Sequence, residues 1–293
     1  MTTGAPPRPA VWLLTAATLA LAAGSTAALA VLAFAGLSLV PAVARFGDWS
    51  PQTLQGMEIA SVPIEAVAGL ALAVVLASTV LGAVRYCRWL RSVVRTIDQL
   101  PVHAGLVVLP DAEPLAFAVP LRGGRIVVSW SMLSVLTPAE RCALLAHERV
   151  HLRCRHHLFL AVVSLSTALN PLLWPLRSAV VFLVERWADE VTCARLGDRR
   201  VVASAVGKAA LATRTTTAFA PGAAGGPVPR RVAALLEAPP QRSGWGSTAA
   251  LCTAVTIAIT AWSMQASVEA AADLHNGIEV ASLGHHHHHR PMA

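Results

Sequence analysis

The residues best suited to do chemistry are His147, Glu148 and His151, in the run His147-Glu148-Arg149-Val150-His151. Histidines at i and i+4 of a helix lie one turn apart on one face, so both imidazoles can reach a single metal ion. Glu148, beside the first of them, can take a proton from an attacking water and later pass it to a leaving amine. A hydrolytic zinc site also needs a third protein ligand and an open fourth position. The stretch Glu185-Arg186-Trp187-Ala188-Asp189-Glu190 can supply that ligand. Glu185 and Asp189 are again four apart, so one carboxylate can bind metal while the other holds a ligand histidine from behind. The bland alternatives are two histidines and two acids on solvated helix faces; occurrence of both patterns in one chain favours the metal reading. His156 and His157 could be ligands, supports or interfacial polar residues, with support preferred for His156. His103 and His275 stand outside any such group.

These side chains need a helix to carry them. Thr137-Pro138-Ala139-Glu140 gives a helix start in which Thr137 caps, Pro138 suits the first turn and Glu140 completes a capping box. The spacing predicts a helix from there to about His157. Upstream, 106–109 and 125–129 read as short strands rich in β-branched residues, and 116–119 as a third ending at Pro120.

The frame around this segment is apolar. Of 293 residues, 55% are hydrophobic and 13% charged, with a mean hydropathy of +0.58; soluble chains carry roughly 25% charged residues. This excludes a disordered charged tail and a module held to nucleic acid by dense phosphate contacts, so no direct nucleic-acid binding is expected. Residues 11–40, 66–84 and 248–268 are uncharged runs compatible with membrane spans. A cleaved leader ending near Ala30 competes for the first run, although that run exceeds an ordinary leader core of about 7–15 residues. The net charge of +7 is explained by arginines beside the spans. Arg85, Arg88, Arg91 and Arg95 follow the second run, and nine basic residues from Arg186 to Arg242 precede the third. The positive-inside rule then places the central region in the cytoplasm. Five cysteines without a CxxC pair suggest neither a disulfide framework nor a thiolate zinc cluster.

The resulting organisation has a membrane region with two spans over 1–84 and a cytoplasm-facing peptidase domain over 85–247. A C-terminal span over 248–268 and a short extracytoplasmic His-rich tail over 269–293 follow. Within the second segment, 158–184 is largely apolar. A single crossing there would put Glu185 across the bilayer from His147 and His151, and 27 residues are too few for two crossings at about 20 each. A re-entrant or interfacial helical hairpin broken near Asn170-Pro171 meets both constraints. The fold class is therefore an α-helical integral membrane protein with an embedded α+β peptidase domain.

With those residues assembled, the chain resembles the gluzincin membrane metallopeptidases of the HtpX and prenyl-protease group, and more closely the BlaR/MecR type. Ala116-Phe117-Ala118 is similar to the edge strand that pairs with substrate in that family. His147, Glu148 and His151 match its metal and catalytic positions, and His156 a further family histidine. Asn170-Pro171-Leu172-Leu173-Trp174 resembles a BlaR/MecR-type signature. The segment from Glu185 to Glu190 matches the one carrying the third ligand, and Arg231 lies in a late segment where an arginine helps bind substrate or oxyanion. The resemblance implies one zinc ion per chain held by His147, His151 and Glu185. It makes Glu148 the base, Asp189 and His156 supports, and Ala116, Phe117, Ala118 and Arg231 substrate contacts. It departs from the type in lacking an expected extracellular penicillin-binding domain, and Gly225-Gly226-Pro227 stands where the HtpX group has a His-Pro pair.

The expected activity is a bacterial, multi-pass membrane zinc endopeptidase acting on a repressor-like cytosolic protein or a membrane protein. Alternatives are an HtpX-like quality-control protease and a non-catalytic signalling subunit with a structural metal. A metal transporter is disfavoured because the three apolar runs carry no ionisable residue in their interiors.

Overall fold

The structure, a computed structural model, describes residues 6–38, 40–46, 61–110, 113–120, 123–216 and 227–237, with isolated positions from 258 to 276. The expected third span at 248–268 and the His-rich tail lie outside the continuously described residues. Among the described residues two helices are long and apolar enough to cross a membrane, α1 (Pro7–Ser38) and α3 (Val62–Asp98), with the short α2 (Pro41–Phe46) after α1.

Three strands follow: β1 (Leu106–Leu109), β2 (Ala116–Val119) and β3 (Arg125–Ser129). Their order is β1-β3-β2, with β1 parallel and β2 antiparallel to β3. Ser129 ends β3 and caps α4 (Trp130–Ser134) by accepting the Met132 N–H. Then come α5 (Pro138–Arg153), α6 (His156–Leu169), a 3-10 turn (Pro171–Leu173), α7 (Trp174–Leu196), α8 (Arg199–Thr216) and α9 (Pro227–Leu236). The predicted capping box opens α5: Thr137 Oγ1 accepts the Glu140 N–H, and Glu140 Oε2 accepts the Thr137 N–H.

One prediction is corrected here. The helix carrying His147 and His151 stops at Arg153, not near His157, because Arg155 takes a left-handed backbone with φ 53°. The chain turns there, and His156 begins a new helix instead of continuing the old one.

The chain divides into two compact units. The first joins Met1–Thr15, Arg85–Ser164 and Pro175–Ser247. The opening turns of α1 thus fall in the unit that carries the histidines. Ala10 and Val11 are buried there with Phe159 and Val163 of α6 and with Val180, Val184 and Trp187 of α7. Arg8 stacks over the Trp187 ring, and Trp12 meets Phe159 edge-on. Beyond Val84, α3 continues as a basic extension whose Ile97 packs with Val107, Val119 and Val127 of the sheet. A third cluster ties Ala143 of α5 to Cys193 of α7, Val202 of α8 and Leu235 of α9.

The second unit holds Ala16–Val84, Leu165–Trp174 and Thr248–Ala293. Small residues bring α1 and α3 close: a Cβ added at Gly36 would stand 2.8 Å from Glu65 Cβ, and one at Gly69 3.8 Å from Ala33 Cβ. The break between α6 and α7 belongs to this unit. Asn170 caps the 3-10 turn by accepting the Leu172 N–H, and its Nδ2 donates to Ser25 Oγ of α1 at 3.0 Å.

Candidate active site

Helix α5 aims His147 and His151 the same way, as their spacing requires. Their Nε2 atoms stand 3.1 Å apart. Glu185 reaches both from α7, with Oε2 3.4 Å from His147 Nε2 and Oε1 3.5 Å from His151 Nε2. One ligand atom from each of the three residues falls within a 4.8 Å cluster, the only such group of three among the described residues. Two imidazole nitrogens and a carboxylate suit zinc and leave a fourth position open.

Behind the cluster each histidine is held by its other nitrogen. Asp189, fully buried, places Oδ1 3.2 Å from His147 Nδ1. His156 Nδ1 lies 3.1 Å from His151 Nδ1. The chain reversal at Arg155 makes the second contact possible, because residues five apart on one helix point in different directions. If His151 is to offer Nε2 as a ligand, its Nδ1 must carry the proton and His156 Nδ1 must accept it, so His156 carries its own proton on Nε2. The His156 ring packs on Trp187, with centroids 4.6 Å apart.

Arg231 of α9 binds two of the carboxylates of α7, Asp189 and Glu185. Its Nε and Nη2 donate to Asp189 at 2.8 and 2.7 Å, while Nη1 lies 2.8 Å from Glu185 Oε2. The expected contact of Arg231 with substrate thus gains a second aspect: its guanidinium already anchors the ligand-bearing helix. Arg199 secures the end of α9, donating to the Ala234 and Leu235 carbonyls and, bidentately, to Glu190. Neither Arg199 nor Glu190 has a sequence-based assignment, and the signal available was the acid at the end of the Glu185–Glu190 run.

The electrostatics follow from this packing. Burial alone would lower the pKa of His147, but Asp189 and Glu185 push it up to about 10. Burial opposes ionisation of Glu185 too, yet His147 and Arg231 hold its carboxyl well below the usual range. Asp189 is held down in the same way by Arg231 and His147, against its burial. Burial brings His151 to about 4 and His156 to about 3, leaving both neutral at pH 7. Glu148 is buried, and desolvation raises its pKa against the pull of His147. A carboxyl tuned upward beside a metal-binding cluster is suited to accept and return a proton.

Glu148 lines a cleft with His147, Glu185, Arg231 and Ala116. Among the described residues β2 is an outer strand, paired on one side only, with β3. Ala116, Phe117 and Ala118 are half-buried along it. Such an edge can accept an extended peptide through main-chain hydrogen bonds.

Searches of curated proteins and of solved structures find no match. Residues 88–220 match the profile of Peptidase family M48. That stretch holds the sheet, α5, α7 and every member of the cluster, and leaves Arg231 outside. The match supports a metallopeptidase, and this segment of the chain is similar to the peptidases of family M48.

Proposed function

We propose that the protein is a zinc-dependent endopeptidase anchored in a bacterial membrane, its active site facing the cytoplasm. The observation that carries this reading is the convergence of His147, His151 and Glu185 beside an unligated, pKa-raised Glu148. A zinc ion held by those three residues supplies Lewis acidity, lowering the pKa of water and polarising a carbonyl. The chain itself does the rest. β2 aligns an extended substrate, Glu148 removes a proton from the attacking water, and the same carboxyl returns it to the leaving amine. Asp189 and His156 hold the histidines in the ligand tautomer. Arg231 fixes Glu185 and balances the negative charge of the two acids.

A membrane-surface site is supported by the course of α3. Arg85, Arg88 and Arg91 follow its apolar run, and exposed Tyr86 and Trp89 stack there with centroids 5.9 Å apart. Basic and aromatic residues together favour the cytoplasmic lipid–water boundary. The apolar 158–184 segment is read as a re-entrant hairpin: Ser25, the partner of Asn170, lies near the middle of the uncharged run 11–40. The BlaR/MecR-like signature around Asn170 favours a repressor-like protein as substrate over general quality control.

The test is metal analysis and proteolysis by the purified protein in detergent. Wild type should bind one zinc per chain and cleave, while Glu148→Gln should keep the metal and lose about 10²–10⁴-fold in rate. Undiminished cleavage by Glu148→Gln removes the assigned base, and a wild type that binds zinc without cleaving leaves the structural-metal alternative.

A further inference from the structure

Three arginines from distant parts of the chain meet at one spot of the first unit. Arg8 lies in the opening turn of α1, Arg153 ends α5 and Arg195 lies in the last turn of α7. Their neighbours pack together: Ala10 and Val11 are buried with Phe159, Val184 and Trp187, and Cys154 and Val191 pack against the same cluster. The Cys154 thiol feels all three charges. Burial pushes its pKa up, and Arg8, Arg195 and Arg153 pull against that rise. All three arginines are exposed, and among the described residues none of them forms an ion pair. The acids of α7 are committed elsewhere, Glu190 to Arg186 and Arg199, Asp189 and Glu185 to Arg231. Asp198 accepts the Arg200 and Val201 N–H groups. Like charges held together repel, and an anion between them relieves the repulsion.

The surroundings decide which anion fits. Trp12, one turn beyond Arg8, and Leu158, just past the chain reversal after Arg153, are both exposed. They stand at the starts of the apolar stretches 11–40 and 158–184, and Trp12 meets Phe159 edge-on, so the two stretches begin side by side. A soluble anion gains nothing from that apolar rim, whereas a phospholipid brings a charged head together with chains that cover it. Guanidinium groups take phosphate oxygens in pairs. The Arg8 guanidinium is already held over the Trp187 ring, 5.8 Å from its centroid, so part of the ordering cost of binding is met in advance. We propose that Arg8, Arg153 and Arg195 form a binding site for the phosphate headgroup of an anionic phospholipid, whose chains lie along Trp12 and Leu158. The inference rests on the membrane reading of the proposed function and adds a lipid partner to it. It differs from the basic strip at Arg85, Arg88 and Arg91, which runs along a single helix.

The test uses the full chain in neutral detergent, titrated with phosphatidylglycerol or phosphatidylcholine, with bound lipid counted by native mass spectrometry. Phosphatidylglycerol should bind about 100-fold more tightly, about 5-fold for each arginine. Arg8→Gln, Arg153→Gln and Arg195→Gln should each lose about 5-fold of that preference, and the triple variant about 100-fold. A control triple, Arg85→Gln with Arg88→Gln and Arg91→Gln, removes the same charge from α3 and should lose less than about 5-fold. Equal losses from the two triples mean diffuse attraction to surface charge and overturn the site, as does equal binding of both lipids by wild type. Inorganic phosphate in large excess should leave the lipid bound; displacement makes the ligand a soluble anion and overturns the lipid assignment. A single symmetric elution peak reports that the triple variant is folded. Where that peak is lost the single variants decide, and an unmoved preference in all three overturns the site. A chain that stays soluble without detergent and binds vesicles of neither lipid removes the membrane reading and the site with it. Insertion into both without a preference removes the site alone.

Discussion

Helices α5 and α7 each present two side chains four residues apart, and the two pairs do different work. On α5, His147 and His151 both turn Nε2 to the same cluster. On α7, Glu185 turns to that cluster while Asp189 stands behind His147. Identical spacing guarantees a shared face but not a shared target. What differs is where each pair stands: both α5 residues put an imidazole nitrogen into the cluster. Helix α7 delivers one residue to the ligand position and the next turn to the support behind it. An i, i+4 pair thus reports which residues act together, and packing decides which of them touches the metal.

Substitution can break this asymmetry. His147→Ala and His151→Ala should each abolish stoichiometric zinc binding, and Glu185→Gln should come close to doing so, because each removes a ligand. Asp189→Asn should weaken zinc affinity only about 10–100-fold, the cost of losing an outer-sphere carboxylate. Competition with a chelating dye would order the four, and equal losses from Glu185→Gln and Asp189→Asn would erase the distinction between the α7 positions. His156→Ala should sit with Asp189→Asn, for it supports the second histidine as Asp189 supports the first.

A pH titration sharpens the same contrast. His147, with its pKa raised to about 10, is protonated in the metal-free protein at neutrality, while His151 at about 4 is not. A group whose folded pKa exceeds its unfolded value of about 6.5 stabilises the fold fully below that value and loses the effect as pH rises through the folded pKa. Metal-free protein should therefore lose thermal stability between about pH 6.5 and 10. Zinc must displace the His147 proton, so its apparent affinity should rise with pH across that window, with proton release measurable by calorimetry in buffers of different ionisation heat.

Glu140 offers an opposite sign on the same helix. Burial disfavours its charge, but Lys208, Ser204 and Thr137 outweigh this and hold it at about 2. Its contribution is present above the unfolded carboxyl value and lost as pH falls towards 2, so Glu140→Gln should flatten the acid limb of the melting curve. The smallest effect is expected at Arg155, whose φ of 53° strains a non-glycine backbone. Arg155→Gly should change stability by no more than about 1 kcal/mol, favourably, and leave zinc affinity unchanged. A large affinity loss would mean that the turn does more than bring His156 to His151.

Much of this was legible in the chain because the signals are local. The capping box at Thr137 and the strands at 106–109, 116–119 and 125–129 follow from neighbours within four residues, and so does the break at Asn170. The helix end was not, since Arg155 adopts a left-handed conformation that no residue in Cys154-Arg155-His156 announces. Nor could the sequence tell that the first turns of α1 pack on Phe159 and Trp187, because an uncharged helix reads the same whether lipid or protein covers it.

The sequence alone determined the donor types, their pairing by helical turn, the cap that starts the ligand helix and the apolar runs. Each depends on bonds and periodicities spanning a few residues. Only the tertiary structure decided that Glu185 rather than Asp189 meets the two imidazoles, that His156 backs His151, and that Arg231 binds both acids. Those outcomes depend on the relative placement of α5, α6, α7 and α9, which is fixed by side chains packed from distant segments and is written in no single stretch of the chain.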